Sequence, residues 1–154
     1  MRIMSLIGLP ETFRFAVYNA TSITISDAPV GRPTISGRRV RFDASGALSY
    51  ETAAFTFFSM TSTLGNNTYM TGSTLSNTLS GWLGGEFHAS VFASGNASGT
   101  FSVFLEVSPD AGVTWPSPTS ANGAGGGLLI AAIGFASTTT ASTASTTRVT
   151  YFNL

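Results

Sequence analysis

Residues 100–116, which read TFSVFLEVSPDAGVTWP, combine the clearest strand alternation in the chain with a turn of defined chemistry. Alternate residues of a strand share one face, and those on the apolar face here are Phe101, Val103, Leu105 and Val107. Pro109 then fixes φ, Asp110 can accept hydrogen bonds from the following backbone, and Gly112 permits a positive φ. Because Val113 and Trp115 restart the alternation, the stretch predicts a half-buried strand within a β-hairpin.

The turn of this predicted hairpin resembles an Asp-box, the S-x-D-x-G-x-T-W motif that recurs in sialidases and other β-propellers and occurs singly in other β proteins. The motif positions are Ser108, Asp110, Gly112, Thr114 and Trp115. The resemblance implies a structural role, in which the Asp and the hydroxyls tie the turn together and the Trp packs beneath it. It does not imply a propeller, because one box in 154 residues is too little for several four-stranded blades.

Length and composition indicate one domain with little charge. The 154 residues are enough to bury a core without staples, and the absence of Cys excludes disulfides and thiolate metal sites. Charged residues make up 9 %, and the seven basic residues, all Arg, balance seven acidic ones. This neutrality argues against nucleic acid and anionic membranes as partners, and so little charge favours a surface that is covered in an assembly.

Residues 1–11 form an apolar lead-in that ends near Pro10. They predict an edge strand or an N-terminal arm, which either folds on its own domain or reaches a neighbouring subunit. The lead-in lacks the long apolar stretch and cleavage site of an export signal. The apolar run at residues 128–136 is far shorter than the ~18 residues of a membrane helix. We therefore expect residues 12–154 to form the folded domain, with no membrane span.

Short segments of alternating or aromatic-rich sequence, separated by turn residues, predict strands along the rest of the chain. They are residues 12–18, 23–25, 38–43, 48–60, 86–93, 128–135 and 148–154. Residues 86–115 would form a three-stranded meander, and the polar residues 61–81 a long surface excursion. Residues 50–54 could alternatively form one helical turn. Eight or nine short strands without an amphipathic helix predict an all-β, single-domain β-sandwich of jelly-roll type.

The sequence predicts no enzyme. General acid and base catalysis needs positioned carboxylates or His, but the seven carboxylates are scattered and His88 is the single histidine. Glu86 shares a strand face with His88, and the meander would bring Glu106 across from them. Such a pair could orient a base or bind a metal, but a polar cluster without catalytic function is the better interpretation. The Gly-rich residues 123–127 lack the Lys of a phosphate-binding loop, so we expect neither cofactor nor metal.

Arg38, Arg39 and Arg41 form the one concentration of charge in the chain. The sequence leaves two interpretations open. The arginines could pair with carboxylates of a partner subunit, or they could protect an exposed strand edge from aggregation.

Three segments together resemble small β-sandwich structural proteins of tailed bacteriophages. They are residues 36–50 (SGRRVRFDASGALSY), residues 104–110 with Gly112, Thr114 and Trp115 beyond them, and the Gly-rich lead into residues 128–135. The resemblance implies a virion component made in the host cytoplasm.

Within that class the leading expectation is a capsid decoration protein, a homo-oligomer with a trimer favoured, whose partners include the major capsid protein. The expected interface residues are Ile3, Leu6, Ile7, Arg38, Arg39 and Arg41. One alternative is a tail, collar or fibre component. Another is a carbohydrate-binding, receptor-binding module with stacking platforms from Tyr50, Tyr69, Trp82 and Trp115.

Overall fold

The computed structural model describes residues 10–28, 32–77, 81–93, 96–121, 123 and 125–135, and the backbone of residues 142–146. In this part of the chain every regular element is a β-strand, and no helix occurs. The strands are β1 (Thr12–Ala20), β2 (Thr34–Phe42), β3 (Leu48–Tyr50), β4 (Phe55–Ser59), β5 (Thr68–Thr71), β6 (Leu75–Ser76), β7 (Gly84–Ala93), β8 (Gly99–Val107), β9 (Leu128–Phe135) and β10 (Ser142–Thr146).

These strands form two antiparallel sheets. The first sheet has the order β5-β1-β8-β9, and β6 continues the line of β5 along β1. The second has the order β10-β7-β2-β3, and β4 follows β3 along β2. The pairing of β1 with β8 in one sheet and of β2 with β7 in the other is nested as in a jelly roll.

A core of apolar side chains lies between the sheets. Phe15 on β1 is fully buried, and its ring centroid lies 5.6 Å from that of Phe57 on β4 and 5.0 Å from that of Phe87 on β7. Because these contacts join a strand of the first sheet to strands of the second, the two sheets pack face to face. The predicted all-β sandwich is therefore confirmed.

The outer face of the first sheet is also covered, by the connection between β8 and β9. Phe104 on β8 points to this outer face, where it is fully buried and packs with Ala16 and Tyr18 of β1. The Ser102 hydroxyl donates a 2.9 Å hydrogen bond to the carbonyl of Ala121 in the connection. A Cβ atom on Gly123 would lie 3.0 Å from the Phe104 ring, so the connection lies directly on it. The prediction that this strand is half-buried is wrong, because both of its faces are covered.

The predicted hairpin and meander are also wrong. Residues 113–115 form no strand, and the strand that pairs with β8 after the turn is β9. β7 lies in the second sheet and β8 in the first, so the chain crosses the sandwich between them. Alternation shows which residues of a strand share a face, but it does not reveal which sheet the next strand joins.

Five further segments differ from expectation or lie outside the described residues. Residues 61–81 contain β5 and β6, which form an edge of the first sheet rather than a surface excursion. Residues 51–54 form no helical turn, and β10 was not predicted because its sequence is only Ser, Thr and Ala. The arm residues 1–9 and the expected strand at 148–154 lie outside the described part of the chain.

Replacement of Phe15 by Ala should lower the free energy of unfolding by about 3–5 kcal/mol, because it opens a cavity where the two sheets meet. Urea denaturation followed by fluorescence measures the change. Val113→Ala, at a side chain 79 % exposed, should change stability by less than about 0.5 kcal/mol. Similar losses in the two variants would contradict the assignment of Phe15 to the core.

Candidate functional site

The β2–β3 hairpin, residues 38–50, is the most exposed part of the second sheet. From Arg41 to Tyr50 every residue except Ser49 is exposed. The turn is tied by Asp43, whose Oδ1 accepts hydrogen bonds from the Ser45 hydroxyl at 2.6 Å and the Ala47 amide at 2.9 Å. These bonds, that of the Ser45 hydroxyl first, lower the pKa of Asp43. The hairpin is therefore exposed but locally well defined.

Large apolar side chains lie along this hairpin in contiguous positions. Phe42 and Leu48 are cross-strand partners and are 52 % and 55 % exposed. Tyr50, opposite Val40, is 40 % exposed. Single exposed apolar residues are ordinary on protein surfaces, but neighbouring ones on two paired strands are typical of an interaction surface.

On the opposite face of β2 from this apolar surface, two arginines stack on one aromatic ring. The Cζ atoms of Arg39 and Arg41 lie 5.0 Å and 4.8 Å from the centroid of the Trp82 ring, and Arg39 also lies 5.7 Å from that of Phe55. Phe55 is 46 % exposed. Stacking on aromatic faces restrains the guanidinium groups.

Glu51 fixes Arg39 from the other side. Its carboxylate accepts hydrogen bonds from the Arg39 backbone amide at 3.0 Å and from Arg39 Nε at 2.9 Å, and it also accepts one from Nη2. Partial burial alone would raise the pKa of Glu51, but the hydrogen bonds and charge of Arg39 outweigh burial and lower it. We call Arg39, Arg41, Glu51, Phe55 and Trp82 the arginine–aromatic cluster.

The arginines do not protect a sheet edge. β2 is an interior strand, paired with β7 on one side and with β3 and β4 on the other, so that interpretation is wrong. Arg39 is already paired with a carboxylate of its own chain, whereas Arg38 and Arg41 are exposed. Of the three, Arg38 and Arg41 are therefore the ones available to a partner. The expected interface residues Ile3, Leu6 and Ile7 lie outside the described residues.

The other candidates for chemistry are not brought together. His88 Nε2 lies 3.6 Å from Glu86 Oε1 on β7, but Glu106 is on β8 in the other sheet. The expectation that Glu106 lies across from this pair is therefore wrong. In the described part of the chain no three His, Asp or Glu side chains are grouped so as to hold a metal ion.

The Asp-box residues form a closed network of hydrogen bonds after β8. The Ser108 hydroxyl donates to Asp110 Oδ1 at 2.8 Å and accepts from the Gly112 amide at 2.7 Å. The Thr114 hydroxyl donates to Asp110 Oδ2 at 2.6 Å, and the Trp115 indole donates to the Gly112 carbonyl at 3.0 Å. The hydrogen bonds from Thr114, its hydroxyl first, lower the pKa of Asp110 to about 2.

This turn lies against a buried ion pair on the outer face of the first sheet. Glu106 is fully buried, and its Oε2 accepts a 2.5 Å hydrogen bond from Nε of Arg14, whose Cζ lies 4.2 Å from the Trp115 ring centroid. Burial raises the pKa of Glu106 against the opposing effects of Arg14 and, more weakly, of the Ser117 hydroxyl. Oε1 accepts no well-formed hydrogen bond from the described residues.

The four aromatics proposed as sugar platforms do not share a surface. Trp115 is stacked on Arg14, and Trp82 is stacked on by Arg39 and Arg41. Tyr69 lies on β5 in the first sheet and Tyr50 on β3 in the second. Trp82 lies beside the arginine strand, which the sequence did not predict, although Trp82 stands shortly before the predicted strand 86–93 that could have paired with it.

Comparison with known proteins supplies no relative for this arrangement. No protein-family model, no curated protein and no solved structure matches the chain. In the residues that the structure describes, no helix is long and apolar enough to span a membrane.

Asp110→Asn should reduce the pH dependence of stability in acid. The folded-state pKa of Asp110, about 2, is below its usual 3.8. The carboxylate therefore stabilises the fold above pH 3.8, and this contribution is lost as the pH falls toward about 2. Urea midpoints measured across this range should fall less steeply for Asp110→Asn than for the unmodified chain. Val113→Ser, which keeps the carboxylate, should retain the original slope, and parallel curves for all three proteins would contradict the expectation.

Arg14→Met should lower the free energy of unfolding by about 3–5 kcal/mol near neutral pH, because it leaves Glu106 buried without its partner. The loss should shrink in mild acid, since protonation removes the unpaired charge. The double variant Arg14→Met/Glu106→Leu should recover most of the stability, because apolar groups can replace a buried ion pair. A double variant no more stable than Arg14→Met in urea denaturation would contradict this account.

Proposed function

We propose that this chain is a non-enzymatic structural protein of a virion, a capsid decoration protein that binds the outer shell as a homo-oligomer. The β2–β3 hairpin carries the proposal. It presents Phe42, Leu48 and Tyr50 to solvent on one face and the exposed Arg41 on the other, on a turn that its own hydrogen bonds define. The resemblance of residues 36–50 to phage structural proteins falls on this same hairpin.

The chemistry of the hairpin favours adhesion to a protein surface. Burial of one large apolar side chain contributes roughly 1.5–3 kcal/mol, so the exposed side chains of one subunit supply a modest affinity. An oligomer that engages several sites at once multiplies this affinity without new contacts. The exposed Arg38 and Arg41 add specificity for a partner that offers carboxylates or carbonyl oxygens.

The same surface could serve a tail, collar or fibre component, which is the alternative within this class. A carbohydrate-binding module is a weaker alternative, because the face of Trp82 is occupied by arginines and the aromatics lie in different sheets. A sugar platform needs an unobstructed ring face.

The proposal is tested by co-sedimentation with empty virus shells assembled without this chain. The unmodified protein should bind in saturable amounts. Leu48→Ser, at a side chain 55 % exposed in the hairpin, should weaken binding at least about tenfold, because one such contact is worth 1.4 kcal/mol or more. Circular dichroism should show both proteins folded.

Val113→Ser is the matched control, because Val113 is an exposed apolar side chain outside the hairpin. It should bind shells like the unmodified chain. Failure of the unmodified chain to bind shells, or equal binding by Leu48→Ser and Val113→Ser, would refute decoration through this hairpin. Binding to isolated tails instead of shells would favour the alternative, and retention on a glycan surface would favour the carbohydrate-binding module.

A further inference from the structure

A groove of about 540 Å³ lies between the free edges of the two sheets. One wall is β4, and the other is the segment that joins β5 to β6, from Thr71 to Leu75. The two walls meet closely at Gly72, where a Cβ atom would lie 3.0 Å from the Phe58 ring and 3.2 Å from the Phe15 carbonyl oxygen. The groove is therefore formed by the sandwich itself and not by a surface loop.

Each wall follows a sheet edge with which no other described strand pairs. Among the described strands β4 pairs only with β2, and β5 and β6 pair only with β1. Natural proteins normally protect such edges with charged residues, Pro or a cover. The walls of the groove have neither charge nor Pro, since β4 reads FTFFS and residues 68–76 read TYMTGSTLS. We therefore expect another segment of chain to cover this groove.

The lining identifies the chemistry of that segment. Apolar side chains of Phe55, Phe57, Phe58 and Leu75 are interspersed with uncharged hydroxyls, and no lining residue is charged. An extended, apolar, uncharged segment can pair its backbone with the edge of β4 and bury its side chains in the groove. Residues 3–9, which read IMSLIGL, have this composition.

The course of the chain at Pro10 favours the groove of another copy. Thr12 pairs with Ser76, and the Glu11 carbonyl accepts a 2.8 Å hydrogen bond from the Asn77 amide. Because this pairing is antiparallel, the chain followed back from Thr12 to Pro10 runs away from Leu75 and from the groove. A return to the same groove would require a reversal of about four residues within the apolar run 3–9. The same run in extended form spans about 23 Å, enough to meet a neighbour.

We infer that residues 3–9 of a second copy lie in this groove as an added strand along β4, so that exchange of arms closes the oligomer. The inference deepens the oligomeric part of the proposed function and does not depend on shell binding. A closed ring of exchanged arms would leave no groove empty and would orient every β2–β3 hairpin identically.

Single-Cys variants test the inference, because the chain has no Cys of its own. The Leu6→Cys protein is mixed in denaturant with the Thr56→Cys protein or with the Ser73→Cys protein. Each mixture is then refolded together and mildly oxidised. A disulfide requires the two Cα atoms to come within about 7 Å. The control mixture combines the Leu6→Cys protein with the Ala132→Cys protein. Ala132 is exposed on β9, at the edge of the first sheet opposite β5. We expect each groove mixture to give at least about five times more covalent heterodimer than this control. Removal of residues 1–9 should reduce the mass measured by light scattering to that of one chain.

Two outcomes would overturn the inference. If the double variant Leu6→Cys/Thr56→Cys closes a disulfide within one chain at high dilution while the mixtures form none, each arm lies in its own groove. If no combination exceeds the Ala132→Cys level, the groove does not hold the arm. Cross-linked oligomers that ignore virus shells would refute decoration and leave the inference standing, so the two failures are distinguishable.

Discussion

The contact of Phe15 with Phe57 and Phe87 is the interaction on which the rest of the structure depends. The three rings join the central strand of the first sheet to two strands of the second, and tilted or edge-on ring pairs add about 0.5–1.5 kcal/mol to the burial itself. With so little charge in the chain, ion pairs cannot organise the fold, so apolar burial between the sheets must do so. Apolar side chains on the outer faces of the two sheets take no part in this contact, and their burial needs a separate cover.

The two sheets differ in how their outer faces are covered. The connection between β8 and β9 covers the outer face of the first sheet, where Phe104 and the pair of Arg14 with Glu106 are buried. The Asp110 network holds the start of this connection in place, and Trp115 stacks on Arg14. In the second sheet no described segment covers the β2–β3 hairpin in this way. Its apolar side chains remain in contact with solvent in the single chain, and for this reason we propose it as the adhesive surface.

How much of this was predictable depends on the range of the interactions. Strand alternation around Phe101 and Val103, the tight turn at Asp110 and the all-β class follow from neighbouring residues, because side-chain period and turn chemistry are local. The sandwich was therefore predicted correctly. The three-stranded meander was not, because β7 and β8 lie in different sheets, and a connection whose sequence is rich in Gly and Ser is compatible with either path.

The candidate site likewise has features that follow from the sequence and features that only the tertiary structure shows. The sequence by itself determined that Arg38, Arg39 and Arg41 lie on one strand, and its resemblance to an Asp-box implied that the turn at Asp110 is closed by its own side chains. Only the tertiary structure decided that this strand is interior, that Glu51 and Trp82 hold its arginines, and that two bare sheet edges enclose a groove. The reason is that pairing between strands distant in sequence depends on burial shared by both partners, which neither segment encodes alone.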